Sequence, residues 1–265
     1  MSISAKPNPH RFKGIAQLQP LLDLVALLLW GILLLKFWLT GKINILLHPD
    51  YVWLAYSAGF FLIGLVLVKG SQFALGLARQ KPRKPAVMPQ HFSLFPPGWG
   101  SALLLLVALF GLQFTPQPFA SQTAIERGVT DTLTMTRSQP QAFRGSGEPA
   151  KRSLVEWIRL LNVYPEPDAY TGQPVNLNGF IIHPPEMPQD YLAIARFVIT
   201  CCAADAYPIG LPVKLASGNR TQYPVDQWFQ VEGKMITETL NGKRQLVIQA
   251  SRLTEIPEPA NPYDF

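Results

Sequence analysis

The pattern of hydrophobic and polar positions divides the chain into an apolar N-terminal part and a part in which apolar and polar residues alternate. Three nearly unbroken apolar runs lie in the first part, at residues 18–39, 51–68 and 98–114. A helix rises about 1.5 Å per residue, so roughly 20 residues cross a hydrocarbon core of about 30 Å. The runs therefore predict three transmembrane helices.

Other interpretations of the apolar runs are helices buried in a large soluble protein and, for the first run, a cleavable signal peptide. The rest of the chain is too short to enclose three such helices. The first run is long and lacks the small residues that mark a cleavage site, so we favour a retained anchor. Asp23 and Lys36 lie near its two ends, where headgroups and water reach, and a transport role for Asp23 is the weaker alternative.

Basic residues predict the orientation of the spans. Residues 1–114 carry 10 Lys or Arg and 2 Asp or Glu, with most of the basic residues before the first run or between the second and third. By the positive-inside rule, the N-terminus and residues 69–97 are cytoplasmic, which places everything after the third span outside the membrane. We therefore expect a multi-pass protein of the cell membrane with an extracytoplasmic C-terminal domain.

The balance of charge in the C-terminal part restricts its partners. Residues 150–265 carry 10 basic and 12 acidic residues, although the whole chain has a net charge of +6. The excess of positive charge flanks the apolar runs, which favours the lipid bilayer as a partner and argues against nucleic acid.

Periodicity changes after the third run. Residues 115–150 are rich in Thr, Ser, Gln, Gly and Pro, which predicts an extracytoplasmic linker. Ser153 and Glu156 form a capping box before one short amphipathic helix. Five strand-like runs follow, and Asn241-Gly242 between the last two predicts a hairpin. The runs are residues 173–182, 192–202, 209–215, 228–236 and 245–253.

These runs predict a small all-β domain at residues 151–257, an OB-like barrel with a leading helix, followed by a C-terminal tail at 258–265. An open β-sandwich is the alternative. The predicted fold class is thus a membrane protein with three N-terminal transmembrane α-helices and one C-terminal β domain. Aromatic residues of this domain alternate with polar ones as core residues do, so they do not indicate a surface for single-stranded nucleic acid.

The two cysteines of the chain are adjacent, as Cys201 and Cys202, with Asp205 three residues later. Side chains alternate along a strand, so one thiol is expected to face inward and the other outward. Three interpretations stay open. The pair is two thiols without a special role, a strained vicinal disulfide that exchanges with other thiols, or part of a metal site. In the last case Cys201, Cys202 and Asp205 would bind a thiophilic ion such as zinc or copper.

Other candidate chemistry is sparse. His183 stands alone before Pro184-Pro185 and is interpreted as a loop residue. The sequence contains no nucleophile elbow, P-loop, HExxH motif or glycine-rich dinucleotide motif. We therefore expect no enzymatic activity.

The region around the cysteines resembles a known family. The stretch Ala195–Ala206 reads ARFVITCCAADA, and Cys-Cys-x-x-Asp is its most distinctive part. Further similar positions are Gly179-Phe180, Pro208, Gly210, Ser121–Gly128 and Pro259–Tyr263. The chain resembles the YcgQ-like family, uncharacterised membrane proteins described as subunits of two-component permeases. The resemblance implies association with a separate multi-span permease subunit.

The predicted function is therefore an accessory, non-catalytic permease subunit whose β domain handles a thiophilic metal or solute. Alternatives are an independent membrane-anchored metal-binding or thiol-redox protein and a structural envelope protein. Three spans with few polar groups would not form a solute pathway alone. Gly59, Gly64 and Gly111 are small residues at which a partner helix could approach closely.

Overall fold

The computed structural model describes residues 10–78, 99–129 and 147–265. The residues before His10, the proline-rich stretch 81–97 with most of the basic residues of its loop, and positions 130–146 of the predicted linker lie outside this description. The chain divides into two compact units, which are described separately. The helical unit comprises Met1–Asn44 and Pro49–Pro116, and the β unit comprises Ile45–His48 and Gln117–Phe265.

The helical unit contains three apolar helices. Their bounds are α1 His10–Leu39, α2 Pro49–Ala78 and α3 Trp99–Gln113. Within α1 and α2, Gln19–Leu39 and Pro49–Leu75 are long and apolar enough to cross a membrane. Helix α3 has only 15 residues, a length of about 22 Å against a hydrocarbon core of about 30 Å. The described residues thus contain two helices of spanning length and one shorter apolar helix.

Most apolar side chains of these helices face outward. Only 22% of the apolar window in α1 and 11% of that in α2 is buried, whereas a core helix of a soluble protein would be mostly buried. Phe61, Leu67 and Leu106 are each about two-thirds exposed. Exposed apolar surface of this kind is typical of helices that contact a membrane or another protein.

Glycines let the helices approach closely. A Cβ at Gly31 of α1 would lie 3.2 Å from the carbonyl oxygen of Gly59 in α2. A Cβ at Gly111 of α3 would lie 2.9 Å from a methyl carbon of Leu33. Gly59 and Gly111, considered above for a partner helix, therefore pack against α1 of the same chain. Gly64 has open space beside it, so its contact with a partner helix stays a prediction.

Two helices accompany the strands of the β unit. Helix α4, Ser121–Arg127, lies in the segment predicted as a linker without structure. Its Ala124 is fully buried against the β unit, which is why this segment is ordered. Helix α5, Leu154–Val163, begins at the predicted capping box, in which Ser153 and Glu156 bond each other's backbone N–H groups. That prediction is confirmed.

Six strands form the sheet of the β unit. Their bounds are β1 Pro174–Ile182, β2 Tyr191–Val198, β3 Tyr207–Lys214, β4 Trp228–Leu240, β5 Lys243–Glu255 and β6 Tyr263–Asp264. Strand β1 pairs with both β2 and β4, β2 pairs with β3, and β5 pairs with β3 and β4. Each of the five long strands therefore has two neighbours, and the five form a ring. All these pairs are antiparallel except β3 with β5.

The predicted hairpin between the last two long strands is confirmed. Leu240 pairs with Lys243, and Asn241 and Gly242 both have positive φ, at 52° and 76°. A two-residue turn of this kind matches the twist of the strands that it joins. The five predicted strands are present, and the residues predicted as a tail add β6, which pairs in parallel with β2.

The β unit has two large apolar clusters. One lies under α5 and includes Trp157, Ile158 and Leu211, all at most 1% exposed. The other contains Phe180 and Phe197, whose rings stack 5.7 Å apart, and it is covered by α4 and by Tyr263 of β6. The segments on both sides of the strands thus complete the second cluster.

Candidate metal-binding site

The site lies in the loop that follows β2. The sequence predicted a strand up to Cys202, but β2 ends at Val198. The carboxylate of Asp205 accepts backbone N–H groups from Thr200 at 3.3 Å, Cys201 at 2.9 Å and Cys202 at 3.3 Å. These N–H groups would have bonded a neighbouring strand, so Asp205 ends β2 and folds the chain into a turn around its own carboxylate.

The turn brings both thiols to the same place. The expectation that they would face opposite sides of a strand is wrong, because neither cysteine lies in a strand. Cys201 is exposed and Cys202 is half-buried, and both are free. Their sulfur atoms lie 3.6 Å apart. The two Sγ atoms and a carboxylate oxygen of Asp205 all lie within 4.8 Å of one another.

Local electrostatics keep the proton on Cys201. Two interactions raise the pKa of the Cys201 thiol to about 11: the larger is with Asp205 and the smaller is with Cys202. For Asp205, burial alone would raise the pKa. The hydrogen bonds from the side chain and backbone of Cys201 and from the N–H groups of its neighbours outweigh that burial and lower the pKa. At neutral pH the free site is therefore a thiol beside a carboxylate.

A distant part of the sequence supports the loop. Residues Ile45–His48 follow α1 in the chain but belong to the β unit. Leu47 and Cys202 form an antiparallel bridge, and the N–H of His48 donates to the carbonyl of Cys201 at 3.1 Å. The N–H of Ala203 donates to the carbonyl of Leu46 at 2.9 Å. Nothing in the sequence pattern predicted this contact, since it is made by backbone atoms.

The other candidates from the sequence lie elsewhere. His183 is half-buried directly after β1, and burial lowers its pKa. Asp23 lies in α1 of the helical unit, where it accepts a hydrogen bond from Ser101 of α3. Neither residue belongs to the group formed by Cys201, Cys202 and Asp205.

The arrangement defines a small β domain that carries an exposed loop with two thiols and one carboxylate. Residues 151–265, which include this loop and all six strands, match the family model described as the DUF1980 C-terminal domain. The match covers less than half of the 265 residues and is to an uncharacterised domain family. No curated protein and no solved structure matches the chain.

Proposed function

We propose that the chain is a membrane-anchored, non-catalytic subunit of a separate permease, and that its β unit binds zinc transiently through Cys201, Cys202 and Asp205. The 3.6 Å separation of the two sulfur atoms carries the metal part of the proposal. A metal site and a thiol-redox site differ in what the two thiols do.

The spacing of the sulfur atoms suits a tetrahedral ion. With Zn–S bonds of about 2.3 Å, a sulfur separation of 3.6 Å gives an S–Zn–S angle of about 103°, close to the tetrahedral value. A linear ion with bonds of the same length would need sulfur atoms about 4.6 Å apart. Both zinc and Cu(I) favour thiolates. The geometry therefore favours zinc over two-coordinate copper.

A metal ion would take the place of a proton. The Cys201 thiol donates to the Cys202 sulfur, and the neighbouring Asp205 raises its pKa. A metal must displace the thiol proton before the sulfur can bind it. An ionised carboxylate has about four lone-pair positions, and Asp205 uses three for backbone N–H groups. The fourth position is then available for a metal, while the turn keeps its three backbone hydrogen bonds.

Three protein ligands leave one tetrahedral position open. Structural zinc sites are closed by four protein ligands, whereas an open position admits water or another ligand. Cys201 is exposed, so this position is accessible from solvent. A site of this kind suits uptake and release of an ion better than permanent storage.

A thiol-redox role is less well supported. Exchange requires a thiolate, and the raised pKa of Cys201 keeps this group protonated at neutral pH. Neighbouring Cα atoms lie about 3.8 Å apart, below the usual range of about 4.4–6.8 Å for disulfide-bonded pairs. The loop is therefore poorly arranged for easy formation of a disulfide.

The permease part of the proposal rests on the helices and on the YcgQ-like resemblance. Outward-facing apolar surfaces support a membrane anchor. Solute pathways are commonly built from many helices, so this small bundle supports an accessory role. The ring of five strands supports an OB-type barrel for the β unit. The Lys and Arg distribution supports an extracytoplasmic β unit.

Zinc titration of the full-length protein in detergent, against a competing chelator, tests the metal site. Wild type should bind one zinc ion, and Cys201→Ser/Cys202→Ser should abolish binding. Asp190→Asn is the matched control for Asp205→Asn, because Asp190 directly precedes β2 and the cysteines follow the other end of that strand. Asp205→Asn should weaken binding at least tenfold and the control should not. Equal binding by the double cysteine variant would refute the site.

Crosslinking in native membranes followed by gentle-detergent purification tests the partner. A multi-span protein should copurify with wild type and with the double cysteine variant, because the helices rather than the thiols are proposed to make the contact. Purification of the chain alone would remove the permease part of the proposal and leave the zinc site standing.

A further inference from the structure

The helical unit contains a cleft of about 560 Å³. This volume lies within the range of ligand-binding clefts, about 300–1,000 Å³. All three helices contribute to it: α1 supplies Asp23, Leu27 and Trp30, α2 supplies Leu62 and Lys69, and α3 supplies Ser101 among others. The cleft takes no part in the metal site, which belongs to the β unit.

Polar groups are confined to one end of the cleft. Asp23 accepts a hydrogen bond from the hydroxyl of Ser101. Lys69 lies at the same height along the helices as Asp23. Its neighbour Gly70 faces Leu24, the residue after Asp23, and a Cβ at Gly70 would lie 4.0 Å from the Leu24 side chain. Trp30 lies seven residues further along α1, about 10 Å away, and its indole N–H is satisfied by the carbonyl of Leu104 at 3.0 Å. The rest of the lining is therefore apolar, and Asp23 and Lys69 are its one acidic and one basic side chain.

We propose that this cleft binds a phospholipid with a zwitterionic headgroup and a primary ammonium, of the phosphatidylethanolamine class. The ammonium would bond the Asp23 carboxylate, the phosphate would contact Lys69, and an acyl chain would lie along Leu27, Trp30 and Leu62. This assignment rests on the membrane location proposed above for the helices.

Charge complementarity selects this lipid class. An anionic lipid without an ammonium would contact Lys69 but leave the Asp23 carboxylate without a cation. A choline headgroup carries positive charge but has no N–H to donate. The Asp23 carboxylate, which already accepts one hydroxyl, retains lone pairs for a primary ammonium. A headgroup with both a phosphate and N–H donors therefore satisfies both charged side chains.

Native mass spectrometry of the full-length protein tests the site, with phosphatidylethanolamine, phosphatidylcholine and phosphatidylglycerol supplied in equal amounts. Wild type should retain phosphatidylethanolamine preferentially. Asp23→Asn should weaken its binding about tenfold, the expected loss for one hydrogen bond to a charged group, and leave the other two lipids unchanged. Lys69→Gln should weaken all three.

Asp50→Asn and Lys42→Gln are the matched controls. Asp50 lies at the start of α2, at the opposite end of this helix from Lys69, and Lys42 lies between α1 and α2. Neither control should change lipid preference. Equal retention of the three lipids by wild type, or the same preference in Asp23→Asn, would overturn the proposal.

A photoreactive amino acid at Leu62 identifies the occupant in cells. Crosslinking to a phospholipid supports the proposal, and crosslinking to another polypeptide shows that a partner helix fills the cleft and overturns it. If the protein is soluble without detergent, the membrane location fails. If it requires detergent but shows no lipid preference, this lipid site alone fails, and zinc binding is unaffected by either result.

Discussion

The helical unit and the β unit place the same kinds of side chain in opposite environments. Phe61 of α2 is 66% exposed, whereas Phe197 of β2 is 1% exposed. The β unit buries its apolar residues in two clusters, so removal of apolar surface from water drives its folding. The helical unit gains little in this way. Its helices approach closely at glycines and share hydrogen bonds such as that from Trp30 to the carbonyl of Leu104.

The largest expected effect comes from truncating a phenylalanine in each unit. Phe197→Ala should reduce the free energy of unfolding of the β unit by about 3–5 kcal/mol, because it opens a cavity among Phe180, Phe119 and Tyr263. Hydrogen exchange of the strand amides in the full-length protein measures this loss. Phe61→Ala is the matched control and should change helix stability by less than about 0.5 kcal/mol in detergent. Similar losses for both variants would contradict the contrast between the units.

A smaller effect is expected at the helix contacts. Gly31→Ala should destabilise the α1–α2 pair by about 1–3 kcal/mol, because the new Cβ would lie 2.9 Å from Ile63 and 3.2 Å from the Gly59 carbonyl. Gly64→Ala adds the same methyl group in open space and should be neutral or slightly stabilising. Circular dichroism during titration with a denaturing detergent distinguishes the two. An equal response would mean that close packing does not hold these helices together.

The smallest effect concerns a polar contact of the β unit. Lys214 and Glu238 form an ion pair at 2.5 Å, with side chains 35% and 24% exposed. Because solvent screens such a pair, a double-mutant cycle with Lys214→Met and Glu238→Gln should give a coupling of about 0.5–1 kcal/mol. A coupling above about 2 kcal/mol would show that the pair is more strongly shielded than its exposure indicates.

The pH range of this coupling follows from the two pKa shifts. Burial would raise the pKa of Glu238, but hydrogen bonds from Lys214 and Tyr191 lower it below 4.5. Its stabilisation is therefore present above pH 4.5 and is lost as pH falls through the lowered value. The pKa of Lys214 is raised above 10.5, chiefly by Glu238, so its contribution is lost only as pH rises through that higher value. The coupling should be constant between these limits.

Much of the fold could be predicted because local signals agreed with the final structure. The apolar runs predicted α1 and α2, the capping box predicted the start of α5, and Asn241-Gly242 predicted the last hairpin. Helix α4 and strand β6 were not predicted, because they are short and are ordered by contacts with the second apolar cluster. Contacts of that kind depend on residues far away in sequence and leave no local periodicity.

The candidate site could be predicted in its residues but not in its geometry. Cys201, Cys202 and Asp205 were apparent as a group because two adjacent thiols and a nearby carboxylate are chemically distinctive. Their arrangement depends on the Asp205 carboxylate, which accepts three backbone N–H groups and ends β2 early. The hydrophobic pattern of the strand continues through Ile199. It therefore does not reveal that the Asp205 side chain competes with the sheet for the backbone N–H groups that follow.

X-ray absorption at the zinc edge of the zinc-loaded, full-length protein tests the central proposal most directly. We expect two sulfur ligands at about 2.3 Å, with oxygen or nitrogen atoms at about 2.0–2.2 Å completing a four-coordinate ion. The oxygen shell should change in Asp205→Asn, while the sulfur shell remains. A spectrum with no sulfur ligand, or with four sulfur ligands drawn from two chains, would contradict a site formed by Cys201, Cys202 and Asp205 of one molecule.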